Sequence, residues 1–595
     1  MCVLNYAKEP QAWTHNSLSI RLVSHDRRRG VEPRSPTSCR NWARRTNSPP
    51  SLGKHMSRVP PCSTGEIVSR DSNRNCRPNW CVFFESPSGV EFLRRLLLAL
   101  HLVFGQSQDA GLRSLGWFLE LTQLDQFVGG SFGTQQKLAA HIETLLGQFG
   151  DEEDRRLGQQ MPPKSITLCE DETFHPQICL VAIEPVSNFL IVEEYATQRD
   201  AATWTAAVQQ AIAPFQVTVI QCTSDEAKAL RAHAENELGA HHSPDIFHVQ
   251  QDTSRATSLS LAKQTQQAQE RLTTAEQRQQ QQSAEAAACR AECPTTEQLP
   301  ELERAANTSA QQAAEARQQV AACQDRERQA AEARRGLSRD YHPFDLTDGR
   351  PREATDVELS LTAHFDTLRR VAEDAKLSEP ARKKIAKARR VLPSLVATLV
   401  FFWRVVAQRI AGLQLSPAVE RVFRDELLAG HYLACVAERS EVAAERQRLR
   451  ELSTQLLARA RSPTSVLAGL PEAERHRLEA EARDGADLFQ RSSSCVEGRN
   501  GQLSLRHHGL HRLTNRKLNA LRVLHNYVVR RADGTTAAER FFGQRPHDVF
   551  GWLLERINLP GRPPPRPSLF PVIEMPASTN AEVMIDARRD KGLVT

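Results

Sequence analysis

Long apolar runs are what this 595-residue sequence most plainly lacks. The most apolar stretch, residues 395–403 (LVATLVFFW), is too short to cross a bilayer and runs straight into Arg404. The opening MCVLNYAKEPQAW has no basic patch followed by an apolar stretch, so no secretory signal is expected. Aromatic residues make up only 6% of a chain whose hydrophobic content, 40%, is ordinary, which points to a large share of polar helix. The 13 cysteines contain no CxxC pair. Cys39, Cys62, Cys76 and Cys81 are spaced too irregularly for a zinc knuckle, and Cys169, Cys179 and Cys222 sit in strand-like runs, as reduced thiols of a cytosolic protein do. These absences leave a soluble, cytoplasmic protein, long enough for about three to five domains. The net charge of +6 is modest but uneven: basic residues crowd the N-terminal tail and residues 499–531, which suits a polyanionic partner.

Residues 1–80, rich in Arg, Ser and Pro without periodicity, read as a disordered basic tail. Residues 89–150 read as a helical, DNA-binding region: two amphipathic helices, a turn with Gly129 and Gly130, then Ser131 as N-cap of a third, in helix-turn-helix style. Strands are expected at 165–170, 177–184, 188–196, 217–225 and 245–249, with helices at 199–213 and after Asp225. Residues 254–490 turn to Gln, Ala, Glu and Arg and predict an all-α insertion that begins with a long helical hairpin. The segment 491–558 is basic and helical, and 559–595 is a proline-rich tail.

The stretch SITLCEDETF sets Glu170, Asp171 and Glu172 side by side at the end of an apolar strand. Taken alone, Asp171 reads as a turn residue, Asp225 as a helix N-cap and Glu497 as a surface acid. Taken together, they suggest convergence, because a strand that follows a crossover lies beside the first strand. The quoted segments CEDETFHPQICLVAIEPVSNFLIVEEYA, CTSDEAKAL, DIFHVQQD and SSSCVEGRNGQLSLRHHGLHRL resemble bacterial DDE transposases whose RNase H-like catalytic domain is split by a long helical insertion. In that pattern 54 residues separate Asp171 from Asp225 and 272 separate Asp225 from Glu497.

The resemblance implies an α/β RNase H-like mixed sheet with an N-terminal helical region and a large all-α insertion. It implies that Asp171, Asp225 and Glu497 hold two Mg²⁺ ions, with Mn²⁺ as an alternative, because hard cations take carboxylate oxygens. Two such ions about 3.5–4 Å apart stabilise the attacking and leaving oxygens of a phosphodiester. The activity implied is cutting and joining DNA at mobile-element ends, by a homodimer or higher oligomer associated with the nucleoid. Arg499, Arg506, His508, Arg512, Arg516 and Lys517 then read as phosphate contacts beside the metals. His248 reads as a buried, hydrogen-bonded histidine. Trp403 reads as core, with a base-stabilising role as the rarer alternative. A host nuclease or resolvase on the same fold, and a catalytically inactive DNA-binding scaffold, are the rival readings.

Overall fold

The fold was analysed from a computed structural model that describes residues 79–174, 177–510 and 513–561. The expectations for residues 1–78, for Cys39, Cys62 and Cys76, for Arg512 and for the tail beyond residue 561 lie outside these residues.

Four helices lead in: α1 (Asn79–Glu85), α2 (Pro87–Leu100), α3 (Leu112–Leu121) and α4 (Phe132–Gln160). Ser131 caps α4 as expected, its hydroxyl accepting from the Thr134 N–H at 3.3 Å. The helix then runs 29 residues, well past the expected end near residue 150. Gly150 lies on its buried face, where a Cβ would stand 2.6 Å from Val523 of a C-terminal helix. The absent side chain lets the two helices close up.

The sheet follows: β1 (Lys164–Phe174), β2 (Ile178–Glu184), β3 (Phe189–Ala196), α5 (Ala201–Ile212), β4 (Val217–Ser224), α6 (Lys228–Ala232) continued by a wide turn at His233–Glu237, and β5 (His241–Pro244). Strand order is β3-β2-β1-β4-β5. The β1–β2–β3 meander is antiparallel, whereas β4 pairs in parallel with β1 and β5 in parallel with β4, each reached through a helical connection. One face of the sheet, with Leu168, Leu180 and Ala182, packs on Trp204, Val208, Leu230 and Ala234. The other, with Cys169, Val181 and Leu190, packs on Val496, Leu503 and Leu518.

Two expectations need correction here. The segment 245–249 is not a strand: Asp245 is the N-cap of α7 (Ile246–Glu292), accepting from the Phe247 N–H at 2.7 Å, and the fifth strand lies just before it. Nor does Asp171 close β1, which continues to Phe174 paired only with β2.

The all-α insertion is present. α7, 47 residues long, pairs with α8 (Leu299–Asp340) as a long hairpin. Behind it come α9 (Ala354–Asp374), α10 (Glu379–Arg389), α11 (Leu392–Leu413), α12 (Pro417–Val422), α13 (Ala429–Arg439), α14 (Ala443–Ala460) and α15 (Glu472–Ala486). By length and composition the stretch Glu379–Leu413 is apolar enough to cross a membrane. Its Leu395, Leu399, Phe402 and Val406, however, are buried in the insertion's own core. Trp403 belongs to that core as well, its indole N–H donating to the Arg352 carbonyl at 3.0 Å and its ring packed edge-on to Phe344 and Phe402.

The chain leaves the insertion where it entered. The Ile246 N–H donates to the Arg491 carbonyl at 3.0 Å, and the Ser493 hydroxyl donates to Asp245. The long gap before Glu497 is thereby closed in space. Helices α16 (Ser494–Leu510), α17 (Asn515–Tyr527), α18 (Ala537–Phe542) and α19 (Val549–Arg556) complete the described chain.

Candidate functional site: an acidic cleft at the sheet edge

Parallel pairing of β1 with β4 ends at Cys169 opposite Thr223. Two residues further along each chain stand Asp171, which shares the face of Cys169, and Asp225, just past the end of β4 and close enough for its charge to be felt at Asp171. That face is the one covered by α16, whose first turn carries Glu497. Alternation also separates the three neighbouring acids. Glu170 and Glu172 face the opposite layer, where Glu172 accepts from the Trp204 indole N–H at 3.0 Å.

The site builds outward from Asp171. One carboxylate oxygen accepts from the Glu172 N–H at 2.8 Å, and the other accepts from the Asn500 amide at 2.8 Å. Asn500 lies three residues after Glu497, so one helical face presents both to the sheet. The remaining amide oxygen of Asn500 is buried without a hydrogen-bond partner. Asp225 accepts from the Ala227 N–H at 2.9 Å, fixing the turn after β4.

His248, one turn into α7, links these acids. Its Nδ1 lies 3.1 Å from Asp245 and its Nε2 lies 3.6 Å from Glu497. The Asp245 hydrogen bond, reinforced by the charges of Asp245, Asp171 and Glu497, raises its pKa to about 9. The imidazole is therefore a cation at neutral pH, set among acids. Asp171 is raised as well: burial first, then the charges of Glu497 and Asp225, lift its carboxyl to about 6. The His248 shift records chiefly its hydrogen bond to Asp245, and the Asp171 shift chiefly burial, with the neighbouring acids adding to each.

Asp225 and His248 open onto a cleft of about 320 Å³, shared with Arg255 of α7 and Lys387 of α10. The donor set is carboxylate oxygen plus amide oxygen, which fits a hard divalent cation. In this state the three acids are spread wider than a closed ligand set. Among the described residues, the one group of His, Cys, Asp or Glu with ligand atoms all within 4.8 Å of one another is instead Glu170, Cys222 and His233. That buried group could hold a metal ion.

The expected phosphate contacts fare differently. Arg499 is buried, and its guanidinium is closed on both oxygens of Glu193. Arg506 pairs with Asp109 at 2.6 Å and also donates to the Gln106 and Ser107 carbonyls. Lys517 is buried against Gln106 and Glu143. These three are corrections: their charge is spent inside the protein, on acids from α4, β3 and the α2–α3 link. Arg516 reaches Glu143 at 3.0 Å but stays half exposed, and His508 is exposed. Sequence reading missed Asn500 and Asp245, and the cations Arg255 and Lys387. For Asn500 the signal was present, since its i+3 spacing from Glu497 puts both on one helical face.

Compared with known proteins, residues 423–568 are similar to a family of unknown function (DUF6399). That match runs from the later insertion helices through Glu497 to the C-terminal helices. No curated protein and no solved structure matches the chain.

Proposed function

We propose that the chain is a DDE transposase, cutting and joining DNA by metal-dependent phosphoryl transfer on an RNase H-like core. The observation that carries this reading is the meeting of Asp171, Asp225 and Glu497 around His248, from segments 54 and 272 residues apart. A sheet of order β3-β2-β1-β4-β5, with one acid in β1 just past its pairing with β4, a second just after β4 and a third on a helix over that face, supports the same class. Asp171, Asp225 and Glu497 would hold Mg²⁺ or Mn²⁺, which when bound stabilises charge on the attacking and leaving oxygens of a phosphodiester. Asn500 orients Asp171, and Asp245 holds His248 against Glu497, where the imidazolium offsets the crowded charge of the acids. DNA phosphates would meet Arg255, Lys387 and His508, in place of the buried Arg499 and Lys517 and of Arg506, which is paired with Asp109.

The test is nicking of a supercoiled plasmid that carries the DNA flanking the gene, in Mg²⁺, by wild type and Asp225→Ala. The variant should lose at least about 100-fold in rate while keeping its affinity for DNA. Equal behaviour of the two proteins would favour a DNA-binding scaffold.

A further inference from the structure

Directly behind Asp171, on the opposite face of β1, is a second group of unusual chemistry. Glu170, Cys222 and His233 come from β1, β4 and the turn after α6, and Glu170, Cys222 and His233 are each 0% exposed. One ligand atom from each lies within 4.8 Å of the other two. Neither oxygen of Glu170 has a hydrogen-bond partner, and neither does Nε2 of His233, although Nε2 and Oε1 are only 3.3 Å apart. A fully buried carboxylate whose close groups are an imidazole nitrogen and the Cys222 thiol calls for an explanation.

The tautomer of His233 narrows the choices. The Thr205 hydroxyl has one hydrogen, which it donates to the Ala201 carbonyl at 2.8 Å. Its contact with His233 Nδ1, also at 2.8 Å, is therefore accepted from the ring N–H. In the neutral ring this leaves the lone pair on Nε2, turned toward Glu170. Two acceptors face each other in a dry interior, which requires a positive charge or a proton between them.

Cys222 favours the ion. A carboxylate, a thiolate and a neutral imidazole are the oxygen, sulfur and nitrogen ligands that Zn²⁺ takes, and with Zn²⁺ their charges sum to zero. A neutral centre is the form of metal site that a fully buried layer tolerates. The hydrogen bond from Nδ1 to Thr205 is the outer contact that orients a metal-binding imidazole and frees its other nitrogen.

We propose that Glu170, Cys222 and His233 bind one Zn²⁺ ion that ties β1, β4 and the turn after α6 together behind the acidic cleft. On binding, the Cys222 thiol loses its proton to solvent as the sulfur–zinc bond forms, and no oxidant or reductant is involved. By fixing Glu170 the ion also fixes the backbone of Asp171, the next residue. The inference does not depend on the transposase reading, because the three ligands face the other side of the sheet.

The experiment uses the full chain, stripped of metal by a chelator, shown to be folded by circular dichroism, and titrated with Co²⁺ as a visible substitute for Zn²⁺. The proposal expects a thiolate-to-cobalt charge-transfer band in the near ultraviolet that saturates at one ion per chain and is bleached by added Zn²⁺. Cys222→Ser should abolish the band. Thr205→Val keeps all three ligands and should weaken Co²⁺ affinity about tenfold or more, so the test survives a Cys222 variant that fails to fold. Cobalt held by the carboxylates of the cleft gives no thiolate band, so the two sites are distinguished. Absence of the band in folded wild type at saturating Co²⁺ would overturn the proposal and leave Glu170 and His233 sharing a proton.

Discussion

The sheet body and the helical insertion are held together by different physics. In the body, segments hundreds of residues apart are joined by buried charge pairs. Examples are Glu193 with Arg499, Asp154 with Arg522, and Glu143 with Lys517. In the outer part of the α7–α8 hairpin the apolar core shrinks to Ala268, Leu272, Val320 and Cys323, and the remaining links are surface pairs such as Glu276–Arg317. At 1.5 Å per residue, a helix the length of α7 reaches about 70 Å. The contrast teaches that the body specifies a geometry, while the hairpin mainly provides reach. Between them lies the base of the insertion, a conventional helical core around Phe402 and Leu433.

This contrast can be broken experimentally, beginning with the largest effect. Arg499→Ala leaves Glu193 buried without its partner and should cost about 3–5 kcal/mol of unfolding free energy in a denaturant titration. Replacing the pair together, Arg499→Met with Glu193→Leu, should restore most of it. If the single change were silent, the body would not rest on buried pairs. Phe402→Ala, at the insertion's base, should cost about 3 kcal/mol through lost burial and a cavity. It should lower the melting temperature of the insertion without altering Co²⁺ binding at Cys222.

Glu479 sharpens the comparison through pH. It joins α15 to His431 of α13 at 2.8 Å and to Arg461, and these contacts, His431 first, lower its pKa to about 2. A carboxyl depressed on folding stabilises the protein above its unfolded pKa and loses that contribution as pH falls through the folded value. Glu479→Gln should therefore cost about 1 kcal/mol at pH 7, allowing for its partial exposure. The difference from wild type should shrink between about pH 4.5 and pH 2. A difference independent of pH would assign the effect to packing instead. The smallest change is expected at the hairpin's surface, where Glu276→Ala should shift stability by no more than about 0.5 kcal/mol.

The first four strands, the hairpin and the all-α character of the insertion were legible in sequence because each is a local pattern. The fifth strand was misplaced for a local reason too. DIFHV is apolar and follows a proline, a pattern shared with strands, but Asp245 acts as a helix cap and commits the next residues to α7. Which of Glu170, Asp171 and Glu172 faces the cleft was not legible. β1 is buried on both faces, so its hydrophobicity carries no alternation, and only the register with β4 separates them. The basic run after Arg499 misled because its acidic partners, Asp109, Glu143 and Glu193, lie 300 to 400 residues upstream. Sequence distance hid their neutralisation. The same distance hid the Glu170–Cys222–His233 group, whose members belong to three separate elements on one sheet face.

The proposed function requires Asp171, Asp225 and Glu497 to act as one cation site. Mn²⁺ binding followed by electron paramagnetic resonance tests it most directly, in wild type, Asp171→Asn, Asp225→Asn and Glu497→Gln, each with Cys222→Ser to silence the buried group. Every one of the three changes should weaken Mn²⁺ binding by about tenfold or more, roughly 1.4 kcal/mol each. A variant at any of the three positions that binds Mn²⁺ as wild type does would contradict it.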